Sequence, residues 1–116
     1  MGKAYTPETA AADVAAAMKV LEGRWKLILL FHLFGGQVRR YSELEKSIPG
    51  ISQKMLAQQL RALEGDGLVR RTVYPEVPPK VEYQLTDWGQ ALCPVLDALL
   101  SWHEGKQPTA VDGREP

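Results

Sequence analysis

The sequence is poor in the residues that small chains use as covalent or metal staples. In 116 residues it holds one cysteine, Cys93, and two histidines, His32 and His103. A single thiol cannot close an intrachain disulfide, and no Cys or His pair has metal-ligand spacing. Neither a disulfide frame, nor a bound metal, nor a cofactor is expected. Long apolar runs are missing too. The longest, Leu27–Phe31, reaches Phe34 only through His32, whereas a membrane-spanning helix needs about 18 or more apolar residues. No apolar segment of the secretory kind lies near the start. The expected location is therefore cytoplasmic, with no membrane partner. A catalytic set is also lacking. Neither histidine has an adjacent Ser or Cys nucleophile, no glycine-rich phosphate loop follows a strand, and the acids are scattered. The chain does not read as an enzyme.

Net charge is the last absence. Fourteen Lys and Arg balance fourteen Asp and Glu, which as a whole argues against a nucleic-acid partner. The balance is uneven along the chain. Residues 39–80 carry eight basic and five acidic groups, whereas residues 81–116 carry two and six. The middle can meet a polyanion while the acidic final third faces elsewhere.

What is present is a series of short, well-punctuated segments in a chain of single-domain size, 45% hydrophobic and 24% charged. Thr6-Pro7-Glu8 opens a helix with a cap, a proline and an acid. Val14, Ala17, Met18 and Leu21 form its apolar stripe. After Gly23, Arg24–Phe34 is apolar nearly all round and is expected to be the central core helix, stopped by Gly35-Gly36. Ser42-Glu43-Leu44-Glu45 has capping-box form and opens a helix to about Ile48, ended by Pro49-Gly50. Ser52 caps the next helix, in which Leu56, Leu60 and Leu63 face the core until Gly65-Asp66-Gly67. Two short helices joined by a tight glycine-containing break are what a helix-turn-helix requires.

The period then changes. Leu68–Tyr74 is rich in β-formers, and Val81, Tyr83 and Leu85 alternate with Glu82 and Gln84, so a hairpin with the stiff tip Pro75–Lys80 is expected. Thr86 caps one last helix to about Trp102. The fold class is thus mainly α with a small β-hairpin, a winged helix-turn-helix. Its expected parts are an N-terminal helix (1–23), the DNA-binding winged helix-turn-helix core (24–86), a C-terminal helix (87–104) and a frayed tail (105–116).

With the three leucines inward, about 100° per residue puts Lys54, Ala57, Gln58 and Arg61 on the outward arc, with Gln53 at its edge. Gln suits adenine, and Lys or Arg suits guanine or phosphate. Ser52 at the helix N-terminus and Ser42 can donate to phosphates. Arg39 and Arg40 before the motif, and Arg71 and Lys80 on the hairpin, are candidate phosphate contacts. Neighbours on a strand face opposite ways, so Arg70 and Arg71 cannot both meet DNA. Residue types alone do not separate this surface from an ordinary solvated face.

These residues resemble a known family. Gly23-Arg24-Trp25, Arg40-Tyr41-Ser42-Glu43-Leu44 and Ile51-Ser52-Gln53-Lys54-Met55-Leu56 look like the HxlR-type, MarR-like transcriptional regulators. So do Leu63-Glu64-Gly65-Asp66-Gly67-Leu68-Val69 and Pro78-Pro79-Lys80-Val81-Glu82-Tyr83-Gln84-Leu85-Thr86. The resemblance spans roughly residues 12–104 and implies a sequence-specific regulator that binds double-stranded DNA as a homodimer on a two-fold-related operator. It also implies that the first and last helices build the dimer. Some members of the family sense oxidants through a cysteine thirteen residues before the tryptophan, where this chain has Ala12. In the recognition helix Ala57 stands where the family often has threonine.

Three further features have two readings each. Cys93, one residue before Pro94, reads as an inert buried thiol or as a sensor. Phe31, Trp88 and Trp102 could hold a small-molecule effector, or could be core and dimer packing. The whole could instead be a winged-helix protein-interaction module that binds no DNA.

Overall fold

A computed structural model describes residues 4–105. Helix α1 (Pro7–Val20) starts at Thr6, whose hydroxyl accepts from the Thr9 N–H at 3.1 Å while the Thr9 hydroxyl accepts from the Thr6 N–H at 2.8 Å. Two orphan donors of the first turn are thereby satisfied. Gly23 turns the chain at φ 113°, a left-handed conformation that suits glycine. Beyond it α2 (Arg24–Leu33) begins. Lys26 of α2 reaches back to donate to the Val20 carbonyl at 3.2 Å, closing the end of α1 with a cation.

Helix α2 buries Trp25, Leu29, Leu30 and Leu33 but leaves Leu27, Ile28 and Phe31 at the surface. Its near-uniform apolarity therefore does not mean burial all round. One face serves the core and the other stays bare. The stripe of α1 is still more exposed: Val14 and Met18 are exposed and no residue of the helix is buried.

Strand β1 (Arg39–Arg40) leads directly into α3 (Tyr41–Ser47). Helix α3 begins two residues earlier than the Ser42 capping box predicts. Arg40 is the cap residue, and the Glu43 carboxylate accepts its N–H at 2.7 Å. The cause is β1, which holds Arg40 extended and so sets where the helix can begin. Helix α4 (Gln53–Gly65) is capped by Ser52, whose hydroxyl accepts from the Met55 N–H at 3.1 Å.

Strands β2 (Val69–Tyr74) and β3 (Lys80–Leu85) form the hairpin, and β1 adds to the free edge of β3. The expected two-stranded hairpin is thus a three-stranded antiparallel sheet in the order β1-β3-β2. A strand of two residues has too few positions to show alternation. Its existence depends on the edge that β3 offers.

The single last helix predicted after Thr86 is two: α5 (Asp87–Gln90) and α6 (Leu92–Glu104), broken at Ala91. Pro94 has no N–H for the Gln90 carbonyl four residues back, which accounts for a break at this point. Cys93 is half-buried rather than sealed in the core. Gly105 ends α6, while the rest of the predicted tail, 106–116, lies outside the described residues.

The core is a continuous cluster of Trp25, Leu29, Leu30 and Leu33 with Leu44, Ile48 and Ile51, then Leu56, Leu60 and Leu63, and finally Leu68, Val69, Tyr83 and Leu85. Burying each such leucine contributes about 1.5–3 kcal/mol, enough to fix which face of α4 turns inward. No helix among the described residues is long and apolar enough to cross a membrane.

Candidate nucleic-acid interface

The surface begins with the recognition helix. Leu56, Leu60 and Leu63 are 0%, 1% and 0% exposed, so the opposite arc of α4 faces solvent. On it Lys54, Gln58 and Arg61 are exposed, Ala57 is half-buried, and Gln53 is exposed at the first turn. Ser52 spends a lone pair on its cap, which leaves the hydroxyl proton free to donate. Among the described residues the one ion pair is Lys80–Glu82 at 3.6 Å. The cations of α4 are therefore not neutralised internally.

Tyr41 anchors the start of this helix. Its hydroxyl donates to the Gln53 carbonyl at 2.6 Å, bridging α3 and α4 across the turn. Burial first, then the Glu45 carboxylate and Tyr83, raise its phenol above the usual value of 10.0, so the donor keeps its proton at neutral pH. Nothing in the local sequence pointed to this contact, because its acceptor is a backbone oxygen twelve residues away.

The sheet sorts the remaining cations by face. Arg39 and Arg71 both lie opposite Tyr83 in register, so the three share one face. That face carries the buried Val69, Tyr83 and Leu85 and turns toward α4. Arg40 lies opposite Glu82, and Arg70 opposite Gln84, on the outer face. Arg71 is thus the arginine of the pair on the side of the recognition helix. It lines a cleft of about 320 Å³ with Ala57, Leu60, Arg61, Glu64 and Tyr83.

Lys80 is on the outer face and partly engaged. Its ammonium lies 3.6 Å from the Glu82 carboxylate and 4.9 Å from the centre of the Tyr74 ring. The Tyr74 hydroxyl donates to the same carboxylate at 3.0 Å. That hydrogen bond, chiefly, raises the Tyr74 phenol above its ordinary value. Ser42 is exposed on the second residue of α3, and Arg39 is half-buried.

The structure does not bring Phe31, Trp88 and Trp102 together. Phe31 borders a depression on the bare face of α2 with Leu27, Ile28 and His32. Trp88 lines an apolar crevice of about 210 Å³ between α1 and the α5–α6 segment, with Ala17, Val20 and Leu92 among its walls. Trp102 lies in a third depression, on α6, with Pro94, Val95, Ala98 and Leu99. Within a protomer the three line three depressions; those of Trp88 and Trp102 adjoin at Val95, whereas that of Phe31 on α2 shares no residue with either. Among the described residues no cluster of His, Cys, Asp and Glu could hold a metal ion.

The fold thus joins two helices at a tight turn, the second with an outward polar face, to a three-stranded wing. A sequence profile described as HxlR-like helix-turn-helix matches residues 20–110. The chain belongs to that family. It is 51% identical over 90 residues to the HTH-type transcriptional regulator YtcD of Bacillus subtilis (strain 168), covering 78% of this chain and 71% of that one. Among solved structures it is similar to the reduced form of the redox regulator HypR, with a TM-score of 0.75 and 40% identity over 87% of this chain and 99% of that one. A MarR-family transcriptional regulator from Enterococcus faecalis V583 superposes with a TM-score of 0.78 at 37% identity, over 89% of this chain and 90% of that one. This HxlR-like chain is accordingly a DNA-binding transcription regulator of the winged helix-turn-helix type.

Proposed function

We propose that the protein works in the cytoplasm as a homodimer that reads a two-fold-related operator in double-stranded DNA, with α4 of each protomer in the major groove. The observation that carries this reading is the outward face of α4. Lys54, Gln58 and Arg61 are exposed there and take no part in the one internal ion pair among the described residues. Gln58 offers both a donor and an acceptor to base edges, and Lys54 offers donors. Ser42, Ser52, Arg39 and Arg71 add groups suited to phosphate, and Arg40 and Lys80 offer further cations on the outer face of the sheet, away from α4.

The dimer reading follows from what the protomer leaves uncovered. Helix α1 buries no residue and α6 buries only Leu96. Val14, Met18, Val95, Leu99, Leu100 and Trp102 are all exposed. A lone helix of fourteen residues is marginal in water, so α1 needs a surface to pack on. A second copy supplies one, and sets two recognition helices about 34 Å apart, one turn of duplex.

The competing reading, a protein-docking module, lacks an observation of its own beyond the zero net charge. Retention of genomic DNA fragments at two salt concentrations separates the two. A DNA reader retains fragments strongly at low salt and much less at high salt. Equal, negligible retention at both would refute the proposal.

A further inference from the structure

We propose that the cleft between α4 and the sheet is the seat of a single backbone phosphodiester, gripped by Arg61 and Arg71 with the Tyr83 hydroxyl as a third donor. Arg61 then sets register on the duplex and reads no base. This rests on the DNA-binding reading above and assigns a specific ligand group to one part of that surface.

Two unmet demands in the cleft point to an anion. The first is charge. Arg61 and Arg71 line the same cleft, and neither takes part in the one ion pair among the described residues. Arg39 stands on the same sheet face, on the far side of Tyr83. Glu64 lines the cleft as well, but does not approach either guanidinium closely enough to pair with it. Two exposed guanidinium groups that border one concavity and pair with no carboxylate can close on a tetrahedral oxyanion through charge-assisted bonds.

The second demand is the phenol. Tyr83 is 8% exposed and lines the cleft, yet its hydroxyl enters none of the side-chain hydrogen bonds among the described residues. Nearly all buried polar groups in native proteins find a partner, so this hydroxyl calls for an acceptor from outside.

Geometry names the source of the anion. When a recognition helix lies in the major groove and a hairpin reaches the neighbouring minor groove, one sugar-phosphate strand runs between helix and hairpin. The cleft is bounded by the same two elements, α4 on one wall and β2 and β3 on the other.

The test uses the full chain, a duplex selected from a random pool and a scrambled duplex of equal length. Affinity is followed against salt for wild type, Arg61→Ala, Arg71→Ala, Glu64→Gln and Tyr83→Phe, with thermal unfolding to verify folding. Each arginine variant should weaken both duplexes by the same factor, roughly tenfold. Each should also make the plot of log affinity against log salt shallower by about 0.9. The double variant should lose less than the product of the two, because both groups hold one phosphate. Glu64→Gln should tighten both duplexes, and Tyr83→Phe should weaken both alike. The preferred sequence stays that of wild type throughout. Relaxed preference at one base position in Arg61→Ala, with an unchanged salt slope, would make Arg61 a base reader and overturn the proposal. So would a wild-type slope in Arg71→Ala. Wild type that binds neither duplex would overturn the DNA reading itself, a result distinct from either of these.

Discussion

Gly89 is the position where a single methyl group should matter most. It lies in α5 against the base of the wing, so close that an added Cβ would stand 2.2 Å from the Leu68 carbonyl oxygen, 3.1 Å from its carbon and 3.2 Å from the Leu85 Cβ. The nearest obstacle is backbone and cannot swing away. Gly89→Ala must therefore lift α5 off the strand. That movement would strain the bonds that fasten the two. The Thr86 N–H donates to the Leu68 carbonyl at 3.0 Å. The Thr86 hydroxyl donates to the Gly67 carbonyl at 2.6 Å and accepts from the Gly89 N–H at 3.0 Å. Overpacking costs about 1–3 kcal/mol and a lost hydrogen bond about 1 kcal/mol. Replacing a helical glycine returns about 0.5–1 kcal/mol. The net loss should be about 1–3 kcal/mol, a fall in Tm of roughly 4–12 °C for a chain of this size. Urea unfolding read by tryptophan fluorescence measures it. Gly65→Ala is the control, since its Cβ meets nothing within 4 Å, and it should be neutral or slightly stabilising. A Gly89→Ala protein as stable as wild type would refute the close approach of α5 to the wing.

Three other outcomes are expected. Ser52→Ala should cost about 1 kcal/mol of stability in the same unfolding assay, because it removes the acceptor for the Met55 N–H. Gln58→Ala should relax preference at one operator position, by about 1–3 kcal/mol between bases in selection from a random duplex pool. Leu99→Asp, on the exposed face of α6, should return a mass near the 12.9 kDa of the single chain by light scattering, against about twice that for wild type.

Much of the fold was legible because its signals are local. The leucines of α4 recur at helical spacing, and Ser52 and Thr86 announce helix starts through their own hydroxyls. The alternation of Val81, Tyr83 and Leu85 marks a strand with one inward face. The change of period from helix to strand places the wing after the helix-turn-helix. These features depend on residues within one or two turns of each other, so the chain order alone carries them.

Other features depend on partners far away in sequence. Strand β1 is two residues long and exists because β3 presents an edge to it. The register of β2 on β3 decides that Arg71 faces α4 while Arg70 faces away, since a strand pattern says only that neighbours differ. Tyr83 reads as an ordinary inward strand residue until the cleft shows which charges surround it. Phe31, Trp88 and Trp102 are all aromatic, yet packing puts Phe31 on the bare face of α2 and the two tryptophans in depressions that adjoin at Val95. By itself the sequence determined a winged helix-turn-helix with a polar recognition face, because periodicity and capping act over a few residues. Only the tertiary structure decided which cations share a surface, because that depends on pairing between segments that meet only after the chain has folded.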